Sequence, residues 1–245
     1  MTSSHKSEAG KVKQIKDFYD RKYFQEGDNA FRPYEAYPIF LSYLEVAREG
    51  RLLDIGCGNG FLLRAAEKAG LEAYGIDISE GAAEVARLSA PLSEVQVGKA
   101  EELNYPEAFF DYITCLGTLE HCLDIDRALG EITRVAKDAA KLCIVVPNLN
   151  YVFWEHDFGH IGTEQRDIQE QLLDYSGWVS LLTGHGLAIQ KVHHDKWFAK
   201  NTPLIFTKNP RWMLARAWYR LRWLFMPLQQ TYQFVFICTK DKGIK

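Results

Sequence analysis

The stretch Asp54-Ile55-Gly56-Cys57-Gly58-Asn59-Gly60 decides the fold of this chain. It follows the apolar pair Leu52-Leu53, and a helical pattern from Phe61 to Ala69 begins directly after it. Glycines at alternate positions allow a sharp turn and let the backbone approach a ligand that a Cβ would obstruct. The helix that follows presents free backbone N–H groups at the same place. The pattern therefore predicts a buried strand, a ligand-binding loop and a helix in immediate succession.

A second acidic residue lies at a characteristic number of residues after this loop. Asp77 ends the next apolar run, residues 73–76, and lies 19 residues after Gly58. An acid about 20 residues after a glycine-rich loop is typical of a site that holds ribose hydroxyls. The two features together predict that the chain binds a small molecule containing a nucleoside.

The glycine spacing does not suit a dinucleotide. In the G-x-G-x-x-G pattern a third glycine would fall on Phe61, counted from Gly56, or on Leu63, counted from Gly58. A carboxylate at Asp54 would also repel a pyrophosphate resting on the helix N-terminus, whereas it would suit a cationic ligand. The loop therefore favours a nucleoside that carries positive charge.

Further strands follow in a regular order. Residues 95–98, 110–116 and 142–147 are predicted strands, and they alternate with helices. This alternation is typical of an α/β protein with a doubly wound, parallel sheet. Ligands of such sheets bind outside the carboxyl ends of the strands. That rule places Asp54, Asp77, Glu101 and residues 117–121 around one cleft.

In form and order, these segments resemble the class I S-adenosylmethionine-dependent methyltransferases. The match covers residues 50–150 well, and residues 178–192 and 233–239 fit the family's closing helix and two strands less specifically. The resemblance implies a Rossmann-like, doubly wound, seven-stranded, mostly parallel sheet. It also implies S-adenosylmethionine as the cofactor, with the glycine loop passing under it and Asp77 binding both ribose hydroxyls. The implied cofactor-binding residues are Asp54, Gly56, Cys57, Gly58, Gly60, Asp77, Ile78, Ala100, Glu101 and Leu116.

One departure from the family pattern concerns the adenine. The family often has an acidic residue directly after the glycine of the third strand, and Lys99 stands there instead. Glu101 or the backbone of Ala100 would then supply the adenine contact.

Composition narrows the class of protein. The chain has 245 residues, of which 47% are hydrophobic and 25% charged, as in an ordinary soluble domain. A net charge of −3 argues against a dedicated nucleic-acid binder. The polar start of the chain lacks the apolar region of a signal peptide, and no uncharged apolar run reaches the length of a membrane span. We therefore expect a cytoplasmic protein.

The five cysteines point the same way. They form no C-x-x-C pair, so the usual zinc and redox spacings are missing. Their odd number in strand-like positions predicts reduced thiols. Cys57 could be a reactive thiol of the site, but a small side chain that fits between glycines is the favoured interpretation.

Three regions are expected along the chain. Residues 1–49 form an N-terminal helical cover, residues 50–194 and 230–240 form the methyltransferase core, and residues 195–229 form a C-terminal helical insertion. Within the cover, helices are predicted at 11–20 and 33–49. Tyr19, Tyr23 and Arg32 could reach the cofactor or the acceptor, although packing within the cover is the favoured role of the two tyrosines.

The predicted insertion is strongly basic. Residues 195–228 contain seven cationic residues and one acidic residue, a net +6 that leaves about −9 on the rest of the chain. Tryptophans and tyrosines are interleaved with its arginines, which suits a bilayer interface at 209–227, an anionic substrate or a partner protein. The alternative is a capping helix whose arginines are simply solvated.

The chemistry requires alignment and, for a hydroxyl or ammonium acceptor, a base. Histidine is the natural base because its reference pKa of about 6.5 leaves it neutral near pH 7. His121, just after the fourth strand, is one candidate, although a Glu-His pair there can also serve only to cap the next helix. His156 and His160, in the long connection 148–169 that should border the transfer site, are the others. Those two could also bind a metal with neighbouring acids, but Gly159 argues against the continuous helix this needs.

Leu119-Glu120-His121 also resembles the polyprenyl-hydroxybenzoquinol O-methyltransferases of quinone biosynthesis. The resemblance implies a divalent metal held by the Glu-His pair and by an acid three positions earlier. That position is Gly117 here, so we expect no metal.

The expected function is S-adenosylmethionine-dependent methyl transfer to a small or lipid-like acceptor, anionic or amphipathic, on oxygen, with nitrogen and carbon left open. The rivals are a protein methyltransferase, a non-catalytic scaffold that keeps the fold, and an NAD-dependent oxidoreductase, against which Phe61 counts.

Overall fold

The computed structural model describes residues 8–26, 32–155, 159–162, 168, 170–195, 221 and 225–241. Six helices are assigned in it: α1 (Glu8–Glu26), α2 (Pro38–Leu44), α3 (Phe61–Ala69), α4 (Glu80–Ser89), α5 (Ile125–Val135) and α6 (Tyr175–Gly184). Seven strands are β1 (Arg51–Ile55), β2 (Glu72–Asp77), β3 (Glu94–Val97), β4 (Phe110–Leu116), β5 (Ala136–Pro147), β6 (Leu187–His194) and β7 (Gln233–Lys240). Short 3-10 turns cover Tyr34–Ala36, Leu119–His121 and Leu228–Gln230.

The seven strands form one sheet in the order β3-β2-β1-β4-β5-β7-β6. All pairs are parallel except those made by β7, which runs antiparallel to both β5 and β6. The doubly wound, mostly parallel sheet inferred from the sequence is confirmed. The order turns at β1 and β4, so their carboxyl ends mark the place where a ligand is expected.

The helices bury an apolar layer on each face of this sheet. One layer joins α5 and α6 to the sheet and contains the fully buried Trp178, whose indole N–H donates to the Pro147 carbonyl at 2.8 Å. The other layer packs α2, α3 and α4 on the opposite face. Strands buried on both faces explain the near-continuous apolar runs in the sequence.

The N-terminal cover differs from the sequence prediction. The first helix is longer than 11–20, and the second stretch is no single helix over 33–49. It consists of the 3-10 turn followed by α2, which begins with Pro38 at its first position and ends where Glu45 adopts a left-handed conformation (φ 49°). A proline inside the stretch starts a new helix because its ring blocks continuation of an earlier one.

Strand β5 also begins earlier than predicted. It starts at Ala136, six residues before the apolar run that begins at Leu142. Phe110 pairs with Ala136 and Tyr112 with Lys141, so β5 contains extra residues at an irregularity in its pairing with β4. Charged residues in this part, such as Lys137, interrupt the apolar run, so the sequence pattern does not reveal the first part of the strand.

Most of the predicted basic insertion lies outside the described residues. Of the segment 195–229, the structure describes only Asp195, Leu221 and residues 225–229. Within the described part of the chain, no helix combines the length and apolar character needed to cross a bilayer.

Candidate functional site

A cavity of about 590 Å³ opens at the carboxyl ends of β1, β2 and β4, beneath α1. The predicted site residues that line it are Asp54, Gly56, Cys57, Gly58, Asp77, Ile78, Ala100, Glu101, Leu116 and His121. Nine of the ten predicted cofactor-binding residues therefore meet in one space. The cavity forms where the sheet rule for parallel strands places a ligand.

The glycine loop is shaped by backbone conformations that side chains rarely adopt. Gly56 and Gly58 have φ values of 70° and 53°. A Cβ on Gly56 would collide with the Thr118 side chain, and one on Gly58 would collide with the Tyr23 hydroxyl. Both glycines therefore leave room for side chains that themselves line the cavity.

Gly60 has a different role from the one the sequence suggested. It does not line the cavity; it precedes α3 with φ 71°, and a Cβ on it would lie 2.8 Å from the Ala86 Cα of α4. Its lack of a side chain lets α3 and α4 pack closely. The third glycine therefore serves helix packing. The spacing of glycines at alternate positions does not show whether a given glycine contacts a ligand or a neighbouring helix.

Asp77, at the end of β2, holds the loop as well as facing the cavity. Its Oδ2 accepts from the Gly58 N–H and its Oδ1 accepts from the Ser79 N–H, both at 2.9 Å. Burial raises the pKa of Asp77 to about 6, although these two hydrogen bonds favour the ionised form and oppose the rise. The carboxylate stays ionised near pH 7 and keeps acceptor capacity for a ligand hydroxyl.

Asp54, at the end of β1, is almost fully buried beside it. The Thr114 hydroxyl donates to its Oδ1 at 2.6 Å. Burial raises the pKa of Asp54 to about 7, opposed by the Thr114 hydrogen bond and reinforced by the charge of Asp77. Two neighbouring buried carboxyls make this end of the cavity favourable for a cation.

Beyond β3, the cavity wall contains Gly98, Lys99, Ala100 and Glu101. The Glu101 Oε1 accepts from the Leu123 N–H at 2.9 Å. This bond fixes the start of α5 against the cavity, a structural role that sequence spacing does not reveal. Glu101 and the Ala100 backbone remain the proposed adenine contacts.

The N-terminal cover closes the cavity from above. Tyr19 and Tyr23 of α1 line it together with Arg32 and Tyr37. Burial raises the pKa of all three tyrosines, that of Tyr37 to about 12, so their hydroxyls stay protonated.

Arg32 ties this cover to the far edge of the sheet. It forms an ion pair with Asp195 and donates to the Gln233 side-chain carbonyl at 2.5 Å. The cover is therefore joined to one end of the β6–β7 pair, because Asp195 follows β6 and lies next to Gln233, which begins β7.

Cys57 is a packing residue. It is buried, and its sulfur would lie 2.9 Å from a Cβ on Gly75 of the neighbouring strand. Burial raises the thiol pKa well above its usual range, which removes the thiolate that a reactive cysteine needs.

Glu120 and His121 belong to the 3-10 turn after β4, and both are buried in the cavity wall. Burial raises the pKa of Glu120 to about 8, and the negative charge of Glu170 adds to this effect. The His121 ring meets the Tyr19 ring edge-on, with centroids 6.4 Å apart. His121 thus stands directly under the cover.

The other two histidine candidates are not brought to this place. His160 is half-buried and is not part of the cavity lining, and His156 lies outside the described residues. Among the described residues of the connection 148–162, none lines the cavity; Tyr151 and Trp154 pack against Met226 and Tyr232 instead. The cavity is bordered on this side by Tyr232 and Gln233.

Sequence reasoning missed several cavity residues. Tyr37, Tyr232 and Gln233 line the cavity, and Glu170 approaches the Glu120–His121 pair. Thr118 also lines it, within the segment 117–121 that was predicted to border the cleft. The missed residues come from distant segments, and a single sequence carries no signal that joins them.

Comparison with known proteins identifies the family. Residues 53–144 match the family model described as a methyltransferase domain. The ubiquinone biosynthesis O-methyltransferase of Hahella chejuensis is 34% identical over 159 residues, which are 61% of this chain and 66% of that protein. That of Alkalilimnicola ehrlichii is 37% identical over 122 residues, 46% of this chain and 49% of that protein. This chain belongs to the class I S-adenosylmethionine-dependent methyltransferases.

A solved structure of low sequence identity supports the fold of this methyltransferase. The Haloferax volcanii putative methyltransferase, in complex with the Trm112 activator, superposes with a TM-score of 0.65 at 15% identity, over 96% of this chain and 99% of that one. The matched parts of the sequence span about half to two thirds of the length of the two O-methyltransferases.

The residues of the methyltransferase fit S-adenosylmethionine, the cofactor of its family. Gly56 and Gly58 line the cavity without side chains of their own, and the Asp77 carboxylate lies in the cavity wall, where the family resemblance places the ribose hydroxyls. The nearby carboxyl of Asp54 favours the positive charge that a sulfonium carries.

Proposed function

We propose that this methyltransferase transfers the methyl group of S-adenosylmethionine to a hydroxyl oxygen of a small or lipid-like acceptor. The observation that carries the proposal is the single cavity, in which the cofactor-type residues Asp54, Gly58 and Asp77 share a wall with the acid–base pair Glu120 and His121. Cofactor and acceptor could therefore meet in one cavity.

The chain's own contribution would be alignment and exclusion of water. The sulfonium of the cofactor supplies an already reactive methyl group. Asp77 and the glycine loop would fix the nucleoside, while α1 covers the cavity with Tyr19 and Tyr23. Orienting the acceptor oxygen in line with the methyl group can lower the barrier by about 7–11 kcal/mol.

His121 would assist removal of the acceptor proton. It lines the cavity at the end of β4, whereas His160 is not part of that lining. A neutral imidazole is a suitable base near pH 7, and a positioned base contributes about 10²–10⁴-fold to a rate.

The acceptor side of the cavity suits an aromatic hydroxyl compound. Tyr37, Phe40 and Tyr232 offer ring contacts there, and Arg32 offers a positive charge that Asp195 partly neutralises. Two relatives are named as ubiquinone biosynthesis O-methyltransferases, and O-methylation on the way to a quinone supports a hydroxylated aromatic ring as the first acceptor to test. The basic segment 195–228 favours an amphipathic acceptor taken up at an anionic membrane surface.

Cofactor binding is the first test. Asp77→Asn should weaken S-adenosylmethionine by about 100-fold, because hydrogen bonds to a charged group contribute about 1.5–3 kcal/mol each. Calorimetric titration measures this, with thermal unfolding as a check on folding. Asp138→Asn, at a position 90% exposed, is the control and should leave the affinity unchanged. Equal affinities in the two variants would remove Asp77 from the cofactor site.

Turnover with dihydroxybenzene acceptors, with and without a prenyl tail, tests the transfer itself. His121→Gln should lower kcat by about 10²–10⁴-fold while cofactor affinity stays within about twofold. His185→Gln is the matched control, since His185 pairs with Asp126 away from the cavity. Full activity of His121→Gln would refute its role, and His156→Gln and His160→Gln in the same assay would then test the remaining candidates.

Two rivals make different predictions in these assays. A non-catalytic scaffold would bind partner protein but methylate no acceptor. A protein methyltransferase would transfer the labelled methyl group to protein in a cell extract and not to phenols. The Haloferax protein's complex with an activator is a property of that protein, and co-expression with such a partner is the experiment that would extend it to this chain.

A further inference from the structure

We propose that Asn148 is a positioning residue that holds the Tyr232–Gln233 wall on the acceptor side of the cavity. Asn148 follows β5 directly and is fully buried, and it does not line the cavity itself. Tyr232 and Gln233 line the cavity where β7 begins. The inference deepens the proposed function and rests on it, because this wall is the one that an acceptor would meet.

The Asn148 side chain ties two distant segments together. Its Nδ2 donates to the Gln229 carbonyl at 2.9 Å and to the Thr231 carbonyl at 2.8 Å. Its Oδ1 accepts from the Asn150 N–H at 3.0 Å. An asparagine amide has two N–H donors and one carbonyl oxygen, and here both donors and the oxygen are used. The side chain therefore joins the connection after β5 to the segment that leads into β7.

The backbone of Asn148 makes the same connection. Its N–H donates to the Tyr232 carbonyl at 3.0 Å, and its carbonyl accepts from the Trp154 indole N–H, also at 3.0 Å. Buried polar groups that are all hydrogen-bonded make a rigid local structure, since each bond that is lost leaves a group without a partner. The backbone on both sides of the wall is therefore held by one residue.

Two aromatic side chains hold the Tyr232 ring from behind. Tyr151 and Trp154 are 4% and 3% exposed, and both belong to the connection that Asn148 begins. The Tyr232 ring meets their rings edge-on, with centroid distances of 5.4 Å to Tyr151 and 5.3 Å to Trp154. Edge-to-face packing favours one orientation of a ring. Asn148 thus fixes the Tyr232 backbone, while the residues anchored beside it fix the ring.

This arrangement gives the connection after β5 a role at the site. None of its described residues lines the cavity, so it would act on the acceptor through Tyr232. The cofactor half is held separately, by the hydrogen bonds of Asp77 to the Gly58 and Ser79 N–H groups. A displacement of about 1 Å can cost a reaction about 100-fold when it disturbs the alignment of the reactants. Loosening Asn148 should therefore change the use of the acceptor and leave cofactor affinity intact.

Steady-state kinetics of Asn148→Ala in the whole protein tests the inference, with dihydroxybenzenes that carry or lack a prenyl tail. The KM for the acceptor should rise about tenfold, while the Kd for S-adenosylmethionine stays within about twofold. The ratio of kcat/KM between the two acceptors should also change by about threefold or more. A loss of folded protein lowers both values of kcat/KM by the same factor, so it cannot change their ratio.

Thr231→Val is the matched control. Thr231 is equally buried, and its hydroxyl has no hydrogen-bond partner among the described residues; only its backbone carbonyl meets Asn148. The variant keeps that bond and should change neither KM nor the ratio. Trp154→Phe is a second test variant, because it keeps a ring against Tyr232 and removes the indole N–H that donates to Asn148. It should shift KM in the same direction by a smaller factor, and it replaces Asn148→Ala if that variant does not fold.

The outcomes separate this inference from the proposed function. Equal KM values and ratios in Asn148→Ala and Thr231→Val would overturn the positioning role, as would a cofactor affinity that falls as much as acceptor use. If the wild type methylates neither dihydroxybenzene, the proposed acceptor class fails, and hydrogen–deuterium exchange then decides the role of Asn148. Backbone amides of residues 229–233 should exchange about tenfold faster in Asn148→Ala, with those of β1 unchanged. Unchanged exchange at 229–233 would overturn it.

Discussion

Asp77 combines a predicted role with one that only the structure reveals. Its distance from the glycine loop predicted that it would reach the nucleoside site, and it lines the cavity. The structure adds that its two oxygens accept from the N–H groups of Gly58 and Ser79. Such bonds depend on the path of the loop in space, and residue spacing does not encode it. The same carboxylate therefore shapes the loop and faces the cavity.

The raised pKa values of Asp54 and Asp77, about 7 and about 6, predict a pH dependence of cofactor binding. The cofactor should prefer both carboxylates ionised, so protonation competes with it. Affinity should fall as the pH drops from 8 to 5, by up to about tenfold per unit for each group that titrates. Calorimetry across this range measures it, and Asp77→Asn should flatten the lower part of the curve. A constant affinity would contradict the prediction.

The same shifts predict a trend in stability without cofactor. Between about pH 4 and pH 7 the folded state holds protons on Asp54 and Asp77 that the unfolded state has lost. The free energy of unfolding should therefore decrease as the pH rises through this window. Thermal unfolding of the wild type and of Asp54→Asn across this pH range measures the trend. In the variant, most of the decrease in the free energy of unfolding should be absent. An unchanged slope in the variant would contradict a titrating Asp54.

At the scale of elements, sequence prediction worked where local signals agreed. Helix α3 and strand β4 have the predicted bounds, Phe61–Ala69 and Phe110–Leu116. Both have an apolar pattern of the right period and are followed by glycine, which ends or redirects the chain. The start of β5 and the break between the 3-10 turn and α2 were wrong. A charged strand end and an internal proline each weaken the apolar pattern.

The contact between α3 and α4 gives a prediction about Gly60. Gly60→Ala should destabilise the protein by about 2–4 kcal/mol, because a left-handed residue with a Cβ is strained and the Cβ would press on the Ala86 backbone. Gly130→Ala is the control: Gly130 lies exposed in α5 with nothing within 4 Å of an added Cβ. It should stabilise by about 0.5–1 kcal/mol. Urea unfolding measures both, and equal shifts would refute the packing role.

At the scale of the whole molecule, the site depends on contacts between distant segments. The core motif from Asp54 to Asp77 could be predicted because its residues are close in sequence. The approach of Glu170 to Glu120, and that of Tyr23 to Gly58, could not, since nothing in one sequence indicates which distant segments meet. Sequence therefore predicts the cofactor half of the cavity better than its acceptor half.

The position of the cover over the cavity depends on Asp20 of α1. Its Oδ1 accepts from the Ser79 hydroxyl at 2.6 Å and from the Gly81 N–H at 3.2 Å, at the start of α4. Because Ser79 also donates to Asp77, the cover is fixed within a few residues of the nucleoside site. Asp20→Ala removes both bonds, worth about 1–2 kcal/mol together.

We expect Asp20→Ala to raise the Kd for S-adenosylmethionine by about 5–30-fold. Losing the two hydrogen bonds destabilises the conformation in which α1 covers the cavity, and the cofactor binds to that conformation. Trypsin should also cut α1 faster, because a loosened helix opens more often. Asp17→Ala removes the same charge from an exposed position on α1 and should change neither quantity. If the two variants bind the cofactor equally well, α1 is held over the cavity by Tyr19 and Tyr23 alone, and their replacement by leucine becomes the variant that must weaken binding.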